Sequence, residues 1–217
     1  KIKSEFLTRE FFRAAISCMN HTDEDIKNNI IRLLENLIKN DKINLSVSNS
    51  EFFSACISCM NHPDEDIKDN TTSFLMNLAK NDKINPEFLT REFFKAAISC
   101  MNHPNENIKR NTTCLLQYLA QQDKINPEFL THEFFRATIS CMNHPNEDIK
   151  DNTTSFLMNL AENDKINPEF LTREFFRATN SCMNHTDKDI TSISYMNHTN
   201  IKRNTTFLLI HLTKQGK

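Results

Sequence analysis

The sequence predicts an all-α fold: an α-solenoid, a curved superhelix of about five 41-residue repeats. Three observations predict it. The phrase FFRAAISCMNH at residues 11–21 returns as FFSACISCMNH at 52, FFKAAISCMNH at 93, FFRATISCMNH at 134 and FFRATNSCMNH at 175. Met19, Met60, Met101, Met142 and Met183 therefore stand a constant 41 positions apart, a period within the range of two- and three-helix repeats. One glycine and six prolines leave little material for tight β-turns, and apolar residues between the breaks recur at helical spacing.

Each element of the repeat follows from local chemistry, clearest in the unit from Asn126 to Ile166. Asn126, Pro127 and Glu128 form a cap, a first-turn proline and a dipole-favoured acid, so a short first helix is expected over PEFLT. Thr131 caps a second helix whose buried face is Leu130, Phe134, Ala137 and Cys141. Asn143 to Pro145 ends it, because proline cannot continue the ladder and the residue before it avoids the α region. Asn146 caps the third and longest helix, with Ile149, Thr153, Phe156, Leu157 and Leu160 on one stripe. Apolar burial within one such unit falls far short of the entropy of ordering about 40 residues, so units gain stability by stacking. The units run approximately over 1–43, 44–84, 85–125, 126–166 and 167–217, one repeat domain across the chain.

Two stretches depart from the pattern. The second unit has INLSVSN at Ile43 to Asn49 in place of INPEFLT, which should weaken its first short helix. In the fifth unit Met-Asn-His at 183 is repeated at 196 with TSISY between, and a loop or partial helix bulging from the stack is expected there.

Formal charge is only −2, and no basic half of the chain offers a nucleic acid or an anionic membrane an electrostatic footprint. No apolar run approaches the ~18 residues of a membrane span. Lys1 opens the chain without a methionine and the repeat is in phase by Glu5, so the chain is expected to be a piece of a longer array. Seven cysteines, an odd number with five at one repeat position, fit a reducing compartment. An intracellular location, cytoplasmic or nuclear, is expected.

Several tempting sites dissolve on inspection. Cys56, Cys59 and His62 spell C-x2-C-x2-H, but Cys56 has no counterpart in other units and no second ligand pair follows at finger-like spacing, so no metal or cofactor is expected. Cys18, Cys59, Cys100, Cys141 and Cys182 lie on the buried stripe, where free cysteine acts as a small hydrophobe. His21, His62, His103, His144 and His185 stand at a helix end, positioned to cap carbonyls. Five Cys–His pairs without a unique orienting partner make no catalytic site, and no enzymatic activity is expected. The acids of DEDIKD, Asp64 to Asp69, read as a solvated helix start. Lys27, Lys68, Lys109, Lys150 and Lys202 recur just after the isoleucine of each unit.

The stretch TISCMNHPNEDIKDNTTSFLMNLA, Thr138 to Ala161, resembles the armadillo repeat: an apolar helix end, a Pro-Asn-Glu break, then a long helix closing in Leu-x-Asn-Leu-Ala. HEAT repeats are similar, and the resemblance to both implies that the basic residues Lys27, Lys68, Lys109, Lys150 and Lys202 pair with acids of neighbouring units. The resemblance implies that an asparagine late in each third helix lines a concave groove and hydrogen-bonds the backbone of an extended peptide. The matching positions are Asn36, Asn77 and Asn159, with Tyr118 and His211 in the third and fifth units. One turn earlier, where many such grooves carry tryptophan, stand Arg32, Ser73, Cys114, Ser155 and Phe207.

Helical spacing independently gathers Asp148, Asn152, Ser155, Asn159 and Glu162 into a polar strip apart from the core, and this strip varies between units. The expected function is a non-enzymatic scaffold binding a protein or extended peptide along its concave face. The alternatives are a nucleic-acid-binding helical array, or a recently expanded array with little selected function. The terminal units lack polar outer caps, so self-association through uncapped ends is a further expectation.

Overall fold

The computed structural model describes residues 8–40, 50–184 and 192–214, with the backbone alone for 192–198. These residues form ten α-helices and no strand. Five are short: α1 (Arg9–Met19), α3 (Ser50–Met60), α5 (Arg91–Met101), α7 (His132–Met142) and α9 (Arg173–Met183). They alternate with the longer α2 (Glu24–Lys39), α4 (Glu65–Lys80), α6 (Glu106–Gln121), α8 (Glu147–Glu162) and α10 (Ser192–Lys214).

The expected caps form. Thr131 Oγ1 accepts from Phe134 N at 3.3 Å, and Asn146 Oδ1 accepts from Asp148 N at 3.0 Å and Ile149 N at 3.3 Å. The predicted first helix is shorter than PEFLT: Pro127–Phe129 makes one 3-10 turn. The chain leaves helical geometry at Leu130, which sinks its side chain into the core and frees Thr131 to cap α7. The long helices α4, α6 and α8 close on residues of left-handed conformation, Asp82, Asp123 and Asp164, with φ of 56°, 56° and 55°. Aspartate tolerates this position less well than glycine. It is held because its carboxylate clips the following unit: Lys165 Nζ lies 2.6 Å from Asp123 Oδ1 and donates to Ile125 O at 2.7 Å.

One continuous apolar seam joins the units. Phe134, Ala137 and Cys141 meet Ile149, Phe156, Leu157 and Leu160, all at most 2% exposed. Aromatic edges lock short helix to long helix, with Phe134 and Phe156 centroids 5.7 Å apart and T-shaped. The long helices pack on one another more extensively than the short ones do, so they form the inner, concave layer.

Of the stretch expected to form a loop or partial helix, the described part is helical. Met196 to Thr199 lies inside α10, which runs unbroken from Ser192. The repeated Met-Asn-His has only Thr199 and Asn200 between its histidine and Ile201, where four residues including a capping Asp or Asn stand elsewhere, so the turn that ends one helix and caps the next has no room to form. Residues 185–191 of that stretch, and INLSVSN in the second unit, lie outside the described residues.

Candidate partner-binding surface

Hydrogen bonds between adjacent long helices show which way each row of side chains points. Asn70 Nδ2 donates to Asn28 Oδ1 at 2.6 Å, Asn111 to Asp69 Oδ1 at 2.9 Å, and Asn204 to Asp151 Oδ1 at 3.2 Å. In the third unit Arg110 replaces the acceptor, and Asn152 reaches Thr113 Oγ1 instead, at 3.5 Å. Asparagine thus leans into the seam with the preceding unit, and the residue before it faces the following one. One turn on, Ser73 Oγ donates to Glu35 Oε1 at 2.5 Å and Gln117 Nε2 to Ser155 Oγ at 3.2 Å, across the same seams.

The row implied by the armadillo resemblance therefore sits at the seam's edge. Asn77 is 9% exposed and its amide donates to Ser73 O at 2.8 Å, on its own helix. Asn36 is exposed, Asn159 is half-buried, and neither side chain makes a hydrogen bond among the described residues. Tyr118 is half-buried and hydrogen-bonds Cys114; His211 Nδ1 lies 3.0 Å from Phe207 O. Arg32, Ser73, Cys114, Ser155 and Phe207 form the neighbouring row, nearer the open front.

Two further rows lie beside these: Asn28, Asp69, Arg110, Asp151 and Arg203, and Glu35, Met76, Gln117, Met158 and Ile210; of them Asp69, expected on a solvated helix start, is instead half-buried and accepts from Asn111 across the seam. Asp69 and Asp151 matter most. Burial pushes the Asp69 carboxyl above the usual range, opposed by Arg110. Burial likewise raises Asp151 to about 6, opposed by Arg203. The cue in the sequence was the acid-to-arginine change before each NTT, which marks a varying surface position.

No family model matches the sequence, and no curated protein does either. Solved structures do match. A designed armadillo repeat protein, YIII(Dq)4CqI, superposes with a TM-score of 0.67 at 12% identity over 93% of this chain and 99% of its own. A second, YIII(Dq.V1)4CPAF in complex with peptide (KR)4, gives 0.68 at 10% identity over 94% and 87%. A chain from the structure "A conserved phosphorylation switch controls the interaction between cadherin and beta-catenin in vitro and in vivo" gives 0.73 at 12% identity, over 92% of this chain and 37% of that one. The chain folds as an armadillo-type solenoid.

Within this armadillo-type array the repeated cysteines and histidines are joints between units. Cys59, Cys100, Cys141 and Cys182 point their thiols at the carbonyls of Met19, Met60, Met101 and Met142, one unit back, at 3.8, 3.6, 3.7 and 3.4 Å. Burial pushes these thiols up to about 11, 11, 12 and 11, which keeps the S–H donor in place. The cysteine is buried as expected and also ties one unit to the last.

Four of the histidines correct the reading from sequence, for among the described residues they cap no carbonyl; His185 lies outside those residues. Nδ1 of His21, His62, His103 and His144 accepts the backbone N–H two residues on, at 3.0 to 3.1 Å, and so stiffens the turn into the long helix. The expected lysine ladder is also displaced. Lys27, Lys68, Lys109, Lys150 and Lys202 make no ion pair among the described residues; the clips are Lys124–Asp82 and Lys165–Asp123. Among the described residues no group of histidine, cysteine, aspartate and glutamate is placed to hold a metal, and no helix is long and apolar enough to cross a membrane.

The outer layer carries two grooves at equivalent positions two units apart. In one, Phe53 stacks on Phe88 among Ser54, Ser58, Glu87 and Glu92; in the other, Phe135 stacks on Phe170 among His132, Arg136 and Arg173.

Proposed function

We propose that this chain is a non-enzymatic scaffold that binds an extended protein segment along the concave layer of long helices, and that the segment carries basic side chains. The observation that carries the reading is the pair of half-buried carboxylates, Asp69 and Asp151, facing the open front in equivalent units with Asp66 and Asp148 one turn away on the same helices. A carboxylate lifted by desolvation gains most from an incoming cation, since the pairing restores the solvation that burial removed. Arg32, Ser73, Cys114, Ser155 and Phe207 line the path, and Asn36, Asn77, Tyr118, Asn159 and His211 flank it along the seam edges. A designed neighbour of the same fold holds the peptide (KR)4, which supports the reading by analogy of fold.

Fluorescence anisotropy with labelled (KR)4 peptide tests it. Saturable binding is expected, weakened by about tenfold or more in the Asp69→Asn/Asp151→Asn variant, equivalent to ~1.4 kcal/mol. Binding unaltered by that variant, or matched by a Glu-rich control peptide, would overturn the acidic-front reading. Absence of any binding to (KR)4 would do the same.

A further inference from the structure

The two grooves of the outer layer share a floor and differ in their rims. Each floor is a phenylalanine of a short helix stacked on the phenylalanine that ends the next unit's 3-10 turn. Phe53 and Phe88 lie 4.3 Å apart and 13° from parallel, Phe135 and Phe170 4.4 Å apart and 18° from parallel. Beside them Ile57 and Ile139 are half-buried. The cavities measure about 480 and 470 Å³, within the range of ligand sites. Each is walled by two consecutive units, two and three or four and five, so neither is a face left open at an end of the stack.

The rims differ at matched registers. Ser50 and Ser54 of α3 correspond to His132 and Arg136 of α7. The first groove is therefore lined by Glu87 and Glu92 with no lysine or arginine, and the second by Arg136 and Arg173 with the single acid Glu174. With histidine uncounted, fixed charge passes from two negative to one positive over the same apolar floor. Arg136 and Arg173 are exposed and make no ion pair among the described residues, so both guanidinium groups are free to meet a ligand. They stand on different elements, Arg136 on α7 and Arg173 at the start of α9, and His132 lies edge-on to Phe170 at 4.9 Å.

The length of the groove points to a chain segment. Its residues from α7, His132, Phe135, Arg136 and Ile139, follow one face over two turns, about 10 Å, the span of three residues of extended chain. We propose that the groove between α7 and α9 is a second protein-binding site, which takes an acidic peptide segment carrying one aromatic side chain. The ring packs over Ile139 and the edge of the Phe135–Phe170 stack, and carboxylates on either side of it pair with Arg136 and Arg173. Arginine serves both halves of this recognition, since its planar guanidinium binds carboxylates bidentately and stacks on aromatic faces. The site belongs to the layer of short helices and selects the opposite charge from the concave front, so it stands independently of the basic segment proposed there.

Fluorescence anisotropy with the whole chain and the labelled peptide DEDEFDEDE tests it. Binding that saturates at one peptide per chain is expected. Arg136→Ser, which installs the serine of the other groove, and Arg173→Ser should each weaken it by about tenfold or more. Both residues are exposed, so far-UV helicity should stay that of the wild type. Arg13→Ser, at the register of Arg136 in the first unit, should change nothing, and neither should Asp69→Asn/Asp151→Asn on the concave front. The peptide DEDEADEDE, with the same charge and no ring, should bind about tenfold or more weakly. Absence of binding to DEDEFDEDE overturns the proposal, as does binding unaltered by Arg136→Ser or weakened equally by Arg13→Ser. Equal binding of DEDEADEDE would reduce the site to unspecific charge, and phenylacetate binding as tightly as the peptide would assign it to a small molecule; either result also overturns the proposal.

Discussion

Asp151 pulls stability and binding in opposite directions. Its carboxyl in the folded chain is raised to about 6, above the 3.8 of an ordinary aspartate, so between these values the folded state holds more protons than the unfolded one. The associated stability is fully present below the ordinary value and is lost as pH rises through about 6. Asp151→Asn should therefore raise the thermal midpoint at pH 7.5 while changing it little near pH 4, measured by circular dichroism at both. His144 acts with the opposite sign. Burial lowers its imidazole and Nδ1 is committed as an acceptor, so its contribution is present above the usual histidine value of 6.5 and is lost as pH falls below it. The thiols give a second test at this scale. Cys18 is half-buried, whereas Cys59, Cys100, Cys141 and Cys182 are buried and held protonated. Pulse alkylation with iodoacetamide, read by mass spectrometry, should modify Cys18 first. The other four should react only at the rate of unfolding, since the thiolate is the reactive form.

At the scale of the element, the turn between short and long helix does most to define the unit. Asn146 caps α8 through Oδ1 and, through Nδ2, donates to Glu106 Oε2 of the preceding unit at 3.0 Å. Asn146→Ala removes both, and should cost about 1–2 kcal/mol in urea unfolding, the upper part of the range for a lost cap. α10 supplies the contrast. It passes through its own Met-Asn-His without stopping because two residues rather than four separate His198 from Ile201, and a proline placed there, Thr199→Pro, should break it. Ser192 to His198 should then lose helicity, while the segment from Ile201, anchored by the buried Ile201, Leu208 and Leu212, keeps it. A far-UV signal unchanged by Thr199→Pro would contradict that account.

At the scale of the whole molecule, a stack whose units touch only their neighbours stores its stability in junctions, and the ends have one junction each. Leu116, in the middle of the array and 1% exposed, contributes to units on both sides. Leu116→Ala should cost roughly 2–5 kcal/mol and broaden the unfolding transition, as the array separates into weaker halves. Hydrogen exchange should rank α4, α6 and α8 as most protected, and α1 and α9 as least. The junctions are not all alike. Ser73 with Glu35 and Gln117 with Ser155 bridge the first and third polar seams, whereas the same registers at the second and fourth are held by Met76 and Cys114 and by Met158 and Phe207. The stacked phenylalanine pairs, Phe53 on Phe88 and Phe135 on Phe170, fall at these same second and fourth junctions.

Sequence by itself determined the punctuation and the buried stripe, because caps, prolines and helical spacing act within a few residues. Thr131, Asn146 and Pro145 do locally what they were expected to do, and Leu130, Phe134, Phe156 and Leu160 are buried as their spacing required. What only the tertiary structure decided was the direction of each polar row. Asn152 and Asn159 share a strip with Ser155 on one helix, yet the approach of the neighbouring helices draws Asn152 into the seam with the preceding unit and Asp151, beside it, into the seam with the following one. The thiol, histidine and lysine partners likewise come from a unit away or from a turn's geometry. No periodicity along one helix encodes the angle at which the next helix packs against it.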